Sequence, residues 1–204
     1  MRRFISVVAS GLLLAACSQT SPTDSVTISV DASRPGPVIS RQLFGQFAEH
    51  LGHGIYGGVW VGPDSPIPNT RGIRNDVVAA LRELKVPNVR WPGGCFGDYA
   101  HWRNGIGPKR AVTLNPDWGG VTEPNTFGTH EFMDFVEQIG AAPYISLNVG
   151  SGTPQEAADW MEYMTSALPT TLAQARPANG HAEPWREPRH ALGREGRGGG
   201  GDRT

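Results

Sequence analysis

The chain has 204 residues, 38% of them hydrophobic and 18% charged, with a formal net charge of −1 when its six histidines are neutral. No basic stripe with interleaved aromatics stands out, so the charge balance argues against a polyanion partner such as nucleic acid, and the length holds one domain or part of a larger one. Its 27 glycines and 17 prolines gather in turns and toward the C-terminal end, which excludes a collagen-like or uniformly unstructured chain.

The N-terminus reads as a targeting segment over residues 1–16. Arg2-Arg3 supply a positive region, Phe4 to Leu14 a short apolar one, and Ala15-Ala16 the small residues before a cleavage point. The apolar run is too short to be read as a spanning helix. Leu14-Ala15-Ala16-Cys17 resembles the lipobox of bacterial lipoproteins, which implies acylation of Cys17, a membrane attachment, and a place in the cell envelope (outer membrane or periplasm), with plain secretion the alternative. Residues 17–25 are then a lipid-anchored polar linker. If Cys17 is acylated, Cys95, the other of the two cysteines, has no disulfide partner in the chain. His50 and His53 stand beside a single acid, a pattern of loop and pocket-rim histidines, and no metal site is expected.

Val26-Thr27-Ile28-Ser29-Val30 alternates apolar and polar residues and predicts a half-buried strand ending at the turn Arg34-Pro35-Gly36-Pro37; residues 26–40 are assigned to a separate β element. From residue 41 to 164 a strand–loop–helix unit repeats. The first strand is predicted at Leu43–Ala48, followed by a helix at Asn75–Lys85 with Val77, Leu81 and Leu84 on its buried face. The second strand, Val86–Trp91, leads to a helix at Thr129–Ile139 that buries Phe132, Phe135, Val136 and Ile139 and is closed by Gly140. A third strand, Pro143–Asn148, meets a helix whose start combines Thr153 as N-cap, Pro154 at the first helical position and Glu156 three residues past the cap.

Three βα units require a parallel sheet, either an open doubly wound sheet or a barrel. No G-x-G-x-x-G follows a strand, so neither a dinucleotide fold nor any cofactor is expected. Residues 165–204 end in R-E-G-R-G-G-G-G-D-R-T, which has too few apolar residues for a buried strand and predicts a disordered tail.

The strand ends carry polar and reactive residues: Glu49-His50, Arg90 to Cys95, and Asn148 to Gly152. Taken singly, Glu49 reads as a solvated loop acid, Cys95 as a small buried hydrophobe and Asn148 as a turn former. Taken together they suit a sugar, whose hydroxyls donate and accept. Glu49 would accept, Arg90 and Asn148 would donate, Trp91, Phe96, Tyr99 and Trp102 would wall the ring, and Gly93-Gly94 would let backbone approach closely.

Longer motifs carry a resemblance. F-G-Q-F-A-E-H-L-G at 44–52, I-Y-G-G at 55–58, R-W-P-G-G-C-F at 90–96, Gly107-Pro108, Asn125, Phe127-Gly128, N-V-G-S-G-T-P at 148–154 and E-Y-M at 162–164 occur in order. They resemble the opening strands of glycoside hydrolase family 51, the retaining α-L-arabinofuranosidases. The resemblance implies α/β architecture as the N-terminal part of a (β/α)8 TIM barrel preceded by one strand of a β-sandwich domain. It implies removal of terminal non-reducing α-L-arabinofuranosyl residues from arabinan- or arabinoxylan-type polysaccharides. It casts Glu49 as the sugar-binding acid and Cys95 as a substrate contact at a position commonly asparagine in the family, and implies oligomeric full-length relatives.

Beyond Met164 the match thins to Leu172-Ala173, Ala178-Asn179-Gly180 and Glu183-Pro184-Trp185. Gly193-Arg194-Glu195 stands where the family carries G-N-E, so Glu195 falls at the acid/base position, beside an arginine that favours its ionised form. Retention needs a second carboxylate ~5 Å away, which in this family lies on a later strand, beyond Thr204. An incomplete, inactive piece is therefore expected, the alternative being a non-catalytic, envelope-anchored carbohydrate-binding lipoprotein.

Overall fold

The structure, a computed structural model, describes residues 25–116, 118–186 and 189–193. Cys17 and Glu195 lie outside them. The chain divides into two units, Met1–Val38 and Ile39–Thr204. In the first, the expected strand over Val26–Val30 does not form: these residues take no regular structure, and Val26, Ile28 and Val30 are exposed. Their alternation encodes an apolar face, but a strand needs a hydrogen-bonding neighbour, and none pairs with them among the described residues. A turn forms at Asp31, whose carboxylate accepts from the Ser33 N–H at 3.0 Å and hydroxyl at 2.6 Å.

The second unit is built on a four-stranded, all-parallel sheet, in spatial order β1 (Gln46–Phe47), β2 (Asn88–Trp91), β3 (Ala142–Asn148) and β4 (Arg189–Gly193). Among the described residues four α-helices, α1 (Asn75–Glu83), α2 (Thr129–Ile139), α3 (Pro154–Thr165) and α4 (Thr171–Ala178), lie in the connections. Two short antiparallel ribbons, Asn69–Thr70 with Ile73–Arg74 and Thr113–Asn115 with Val121–Glu123, elaborate the loops.

The predicted first strand is shorter than its apolar run. Arg41–Phe44 form a 3-10 turn, because Ser40 caps it and buried Asn88 on β2 donates to the Gln42 carbonyl at 3.2 Å and side-chain oxygen at 2.7 Å. Drawing Leu43 and Phe44 into a strand would forfeit those bonds. In α1 the buried residue is Val78; Val77 and Leu81 are half-buried, and Leu84 is exposed because the helix stops at Glu83 and Lys85 turns left-handed at φ 53°.

The other helices follow their signals closely. α2 buries Phe132, Phe135, Val136 and Ile139, and Gly140 closes it at φ 73°. The Thr153 hydroxyl accepts from the Glu156 N–H at 3.1 Å, with Pro154 opening α3. Trp91 stacks on Phe132 at 4.9 Å and meets Trp160 edge-on, so β2, α2 and α3 share one aromatic core, completed by Val89, Ile145 and Leu147.

The predicted tail requires correction. Residues 165–186 carry α4, and β4 pairs with β3 along its whole length, from Tyr144↔Arg189 to Asn148↔Gly193. A fourth strand therefore joins the three that were expected. What organises the segment is a buried cation rather than an apolar stripe: Arg176 donates to the carbonyls of Tyr163 at 2.7 Å, Ser166 at 3.1 Å and Ala182 at 3.3 Å. Composition cannot reveal that. The Gly-rich residues after Gly193 lie outside the described part.

The same segment closes over His130 of α2. The His130 Nε2 lies 2.6 Å from the Tyr163 hydroxyl, which also accepts from Asn179 at 3.1 Å, and Trp185 meets the His130 ring edge-on and stacks on His181. Burial above all brings the His130 pKa down to about 4 from 6.5; Glu131 opposes this, while the positive charges of His181, Arg110 and Arg176 reinforce it. A depressed histidine pKa favours the fold above the unfolded value, and that contribution is lost as pH falls from about 6.5 toward 4. The urea midpoint of the wild type should therefore fall more steeply over that window than the midpoint of His130→Gln. Parallel pH profiles would show that His130 does not couple protons to folding.

Candidate functional site

The site forms where the chain leaves β1 and β2. Parallel register sets Phe47 beside Arg90 and is extended beyond β1 by the Ala48 N–H donating to the Arg90 carbonyl at 2.8 Å and the His50 N–H to Pro92 at 3.3 Å. Successive side chains on an extended segment point to opposite sides. Glu49 and His50 accordingly part: Glu49 reaches the loop after β2, and His50 enters the aromatic core.

Glu49 is 8% exposed. Its Oε1 accepts from the Phe96 N–H at 2.8 Å. Gly93, at φ 147°, makes room for it: a Cβ there would lie 2.5 Å from Glu49 Cγ and 2.8 Å from Oε1. Cys95 is part of the same loop, half-buried at the start of the Phe96–Asp98 turn, and it forms no disulfide. Arg90 lies on the adjoining strand with its guanidinium 5.0 Å from the Phe47 ring centroid and its Nε donating to Ser146 on β3 at 2.8 Å. Glu49, Cys95 and Arg90 are thus brought to one end of the sheet.

Asn148 is placed differently from the sugar donor expected of it. It is 4% exposed, its Nδ2 donates to the Ala100 carbonyl and the Ser151 hydroxyl, each at 3.1 Å, and its Oδ1 accepts from the N–H groups of Gly150, Ser151 and Gly152. Its amide organises the loop after β3, because backbone groups there have no sheet partner to satisfy them. Ser151 in turn donates its hydroxyl to the Asp98 carbonyl at 2.6 Å. The 92–100 loop is therefore strapped at both ends, by Glu49 from β1 and by the Asn148 loop from β3.

The aromatic walls also need revision. Trp91, Phe96 and Trp102 are all below 5% exposed and belong to packed interior, leaving half-buried Tyr99 as the member of that set nearer the surface. His50, expected at a pocket rim, is 1% exposed, whereas His53 is exposed in a 3-10 turn. The His50 Nε2 accepts from Trp91 Nε1 at 3.0 Å, its Nδ1 lies 3.5 Å from buried Glu123, and Asn115 donates to its carbonyl at 2.8 Å. Sequence reasoning missed Glu123 and Asn115, which sit on a short ribbon 65 or more positions away from His50. Among the described residues no cluster of three His, Cys, Asp or Glu is arranged to hold a metal.

Comparisons with known proteins point to one family. Residues 80–199, more than half the chain, match the family described as Alpha-L-arabinofuranosidase 1 domain. An intracellular exo-alpha-L-arabinofuranosidase from Bacteroides ovatus is 49% identical over 197 residues, 96% of this chain and 38% of the relative. A probable alpha-L-arabinofuranosidase C from Aspergillus fumigatus is 42% identical over 87% of this chain and 35% of its own length. The crystal structure of the GH51 arabinofuranosidase from Xanthomonas axonopodis pv. citri superposes with a TM-score of 0.75 at 60% identity, covering 78% of this chain and 33% of that one. The alpha-L-arabinofuranosidase of Thermotoga maritima, solved as an arabinose complex, gives 0.73 at 46% identity, covering 77% of this chain and 33% of that one. The chain spans little more than a third of the length of these relatives.

The close seating of Glu49 on Gly93 can be tested by a double-mutant cycle. Gly93→Ala should lower the thermal midpoint by several degrees, and adding Glu49→Ala should recover part of the loss, with a coupling of about 1 kcal/mol or more. Strict additivity would mean that the two residues do not compete for the same space.

Proposed function

Because the chain belongs to the glycoside hydrolase family 51 α-L-arabinofuranosidases, we propose that it forms the sugar-holding arc of a (β/α)8 barrel acting on terminal non-reducing α-L-arabinofuranosyl residues of arabinan- or arabinoxylan-type chains. The observation that carries this reading is Glu49: a carboxylate at the C-terminal end of a parallel strand, oriented by the Phe96 N–H and bordered by Cys95 and Arg90. The carboxylate accepts hydrogen bonds from furanose hydroxyls, the Cys95 thiol offers a weaker polar contact, and Arg90 places a cation beside them. Asn148 supports the site by holding the adjoining loop.

Hydrolysis with retention asks for two carboxylates roughly 5 Å apart. In this reading Glu195, two residues beyond Gly193 of β4, takes the acid/base position, and the nucleophile belongs to a later strand of the full barrel. No helix among the described residues is long and apolar enough to cross a membrane. The attachment proposed is acyl chains on Cys17, which would hold the protein in the cell envelope.

Titration with arabinose or a short arabinofuranosyl oligosaccharide should show saturable binding, weakened at least about tenfold in Glu49→Ala, as loss of a charged hydrogen bond predicts. An unchanged affinity in that variant would place the sugar elsewhere. Labelling with a palmitate analogue should mark the wild type and not Cys17→Ser; label persisting in the variant would remove the anchor.

A further inference from the structure

His50 lies behind the site, on the far side of the backbone from Glu49; its Nε2 has a hydrogen-bond partner, whereas its buried Nδ1 has none among the described residues and faces the Glu123 carboxylate at 3.5 Å. Trp91 Nε1 is a donor only, so at 3.0 Å the His50 Nε2 must present a lone pair. A doubly protonated ring would set N–H against N–H. The proton of the neutral ring therefore sits on Nδ1, which points toward Glu123 Oε2 at 3.5 Å. Glu123 is 2% exposed, and its Oε1 accepts from Asn115 at 3.4 Å; the same Asn115 amide donates to the His50 carbonyl. The ribbon at 113–123 thus grips both the ring and the backbone of His50.

On its other side the imidazole stacks on Phe96, with ring centroids 4.7 Å apart and planes 26° from parallel. The Phe96 N–H is the group that holds Glu49 Oε1 at 2.8 Å. A continuous physical path therefore runs from Glu123 through the His50 ring and the Phe96 ring to the Glu49 carboxylate.

We infer that His50 is a positioning residue: held by the Trp91 hydrogen bond as the neutral Nδ1–H tautomer, with Nδ1 turned toward the Glu123 carboxylate, it fixes the plane of Phe96 and so the hydrogen bond that aims Glu49 at the sugar. The consequence for sugar rests on the function proposed above; the tautomer and the path do not. Packing alone makes a different prediction, because phenylalanine would fill the His50 space as well as imidazole does.

Two measurements on the whole chain decide it, neither involving sugar. Long-range proton–nitrogen NMR correlations of His50 should show Nδ1 protonated and Nε2 bare, and the Phe96 amide should exchange at least about tenfold faster in His50→Phe, which removes the hydrogen bond from Trp91 and the contact with Glu123. Glu123→Gln, which keeps an acceptor, should hold the wild-type tautomer and Phe96 protection. A proton on Nε2 in the wild type, or wild-type Phe96 exchange in His50→Phe, would overturn the inference. Should His50→Phe not fold, Glu123→Leu takes its place: faster Phe96 exchange sustains the path, and unchanged exchange refutes it. Failure of sugar binding with these results intact would count against the proposed function alone.

Discussion

The hydrogen bond from Trp91 to His50 joins the two halves of this molecule's organisation. Trp91 belongs to the core, stacked on Phe132 of α2 and edge-on to Trp160 of α3, yet its indole N–H needs an acceptor once buried. His50 supplies it. The strand exit that carries His50 is thereby fixed against β2, and Glu49, its neighbour in the chain, acquires a set position on the opposite side. The position of the candidate sugar-binding acid is thus a by-product of satisfying a buried tryptophan.

Glycine governs how closely the loops approach the site. Gly93 leaves space for the Glu49 side chain, and Gly150 leaves space for Asp98, where a Cβ would lie 2.5 Å from the Asp98 Cβ. Polar side chains then do the work that sheet hydrogen bonds do elsewhere. Asn148 satisfies three loop N–H groups at once, and Arg110 ties the loop before the 113–123 ribbon to α2 by donating to Gly107 at 2.7 Å and Glu131 at 2.7 Å.

Apolar side chains are uncovered in β1 and the turn before it, where Phe47 is 49% exposed and Leu43 and Phe44 are 77% and 64% exposed. Parallel sheets ordinarily bury both faces. Such exposure accords with an arc taken from a closed barrel, the architecture proposed here. It also explains why the apolar run at 43–48 reads as a longer strand than the one that forms.

The sequence by itself determined whatever depends on local chemistry. The α2 stripe and its Gly140 stop, the Thr153-Pro154 start of α3, the parallel βα order and the placing of Glu49, Arg90 and Cys95 at strand ends all follow from spacing and turn residues a few positions apart. Tertiary structure alone decided what depends on distant partners. Asn88 converted part of the first strand into a turn, Arg176 organised a helix where composition suggested disorder, and Asn148 was drawn into its loop. The buried meeting of His50, Glu123 and Asn115 was invisible for the same reason. A hydrogen bond across a fold costs nothing in local pattern, so residues far apart in the chain leave no periodicity by which to find each other.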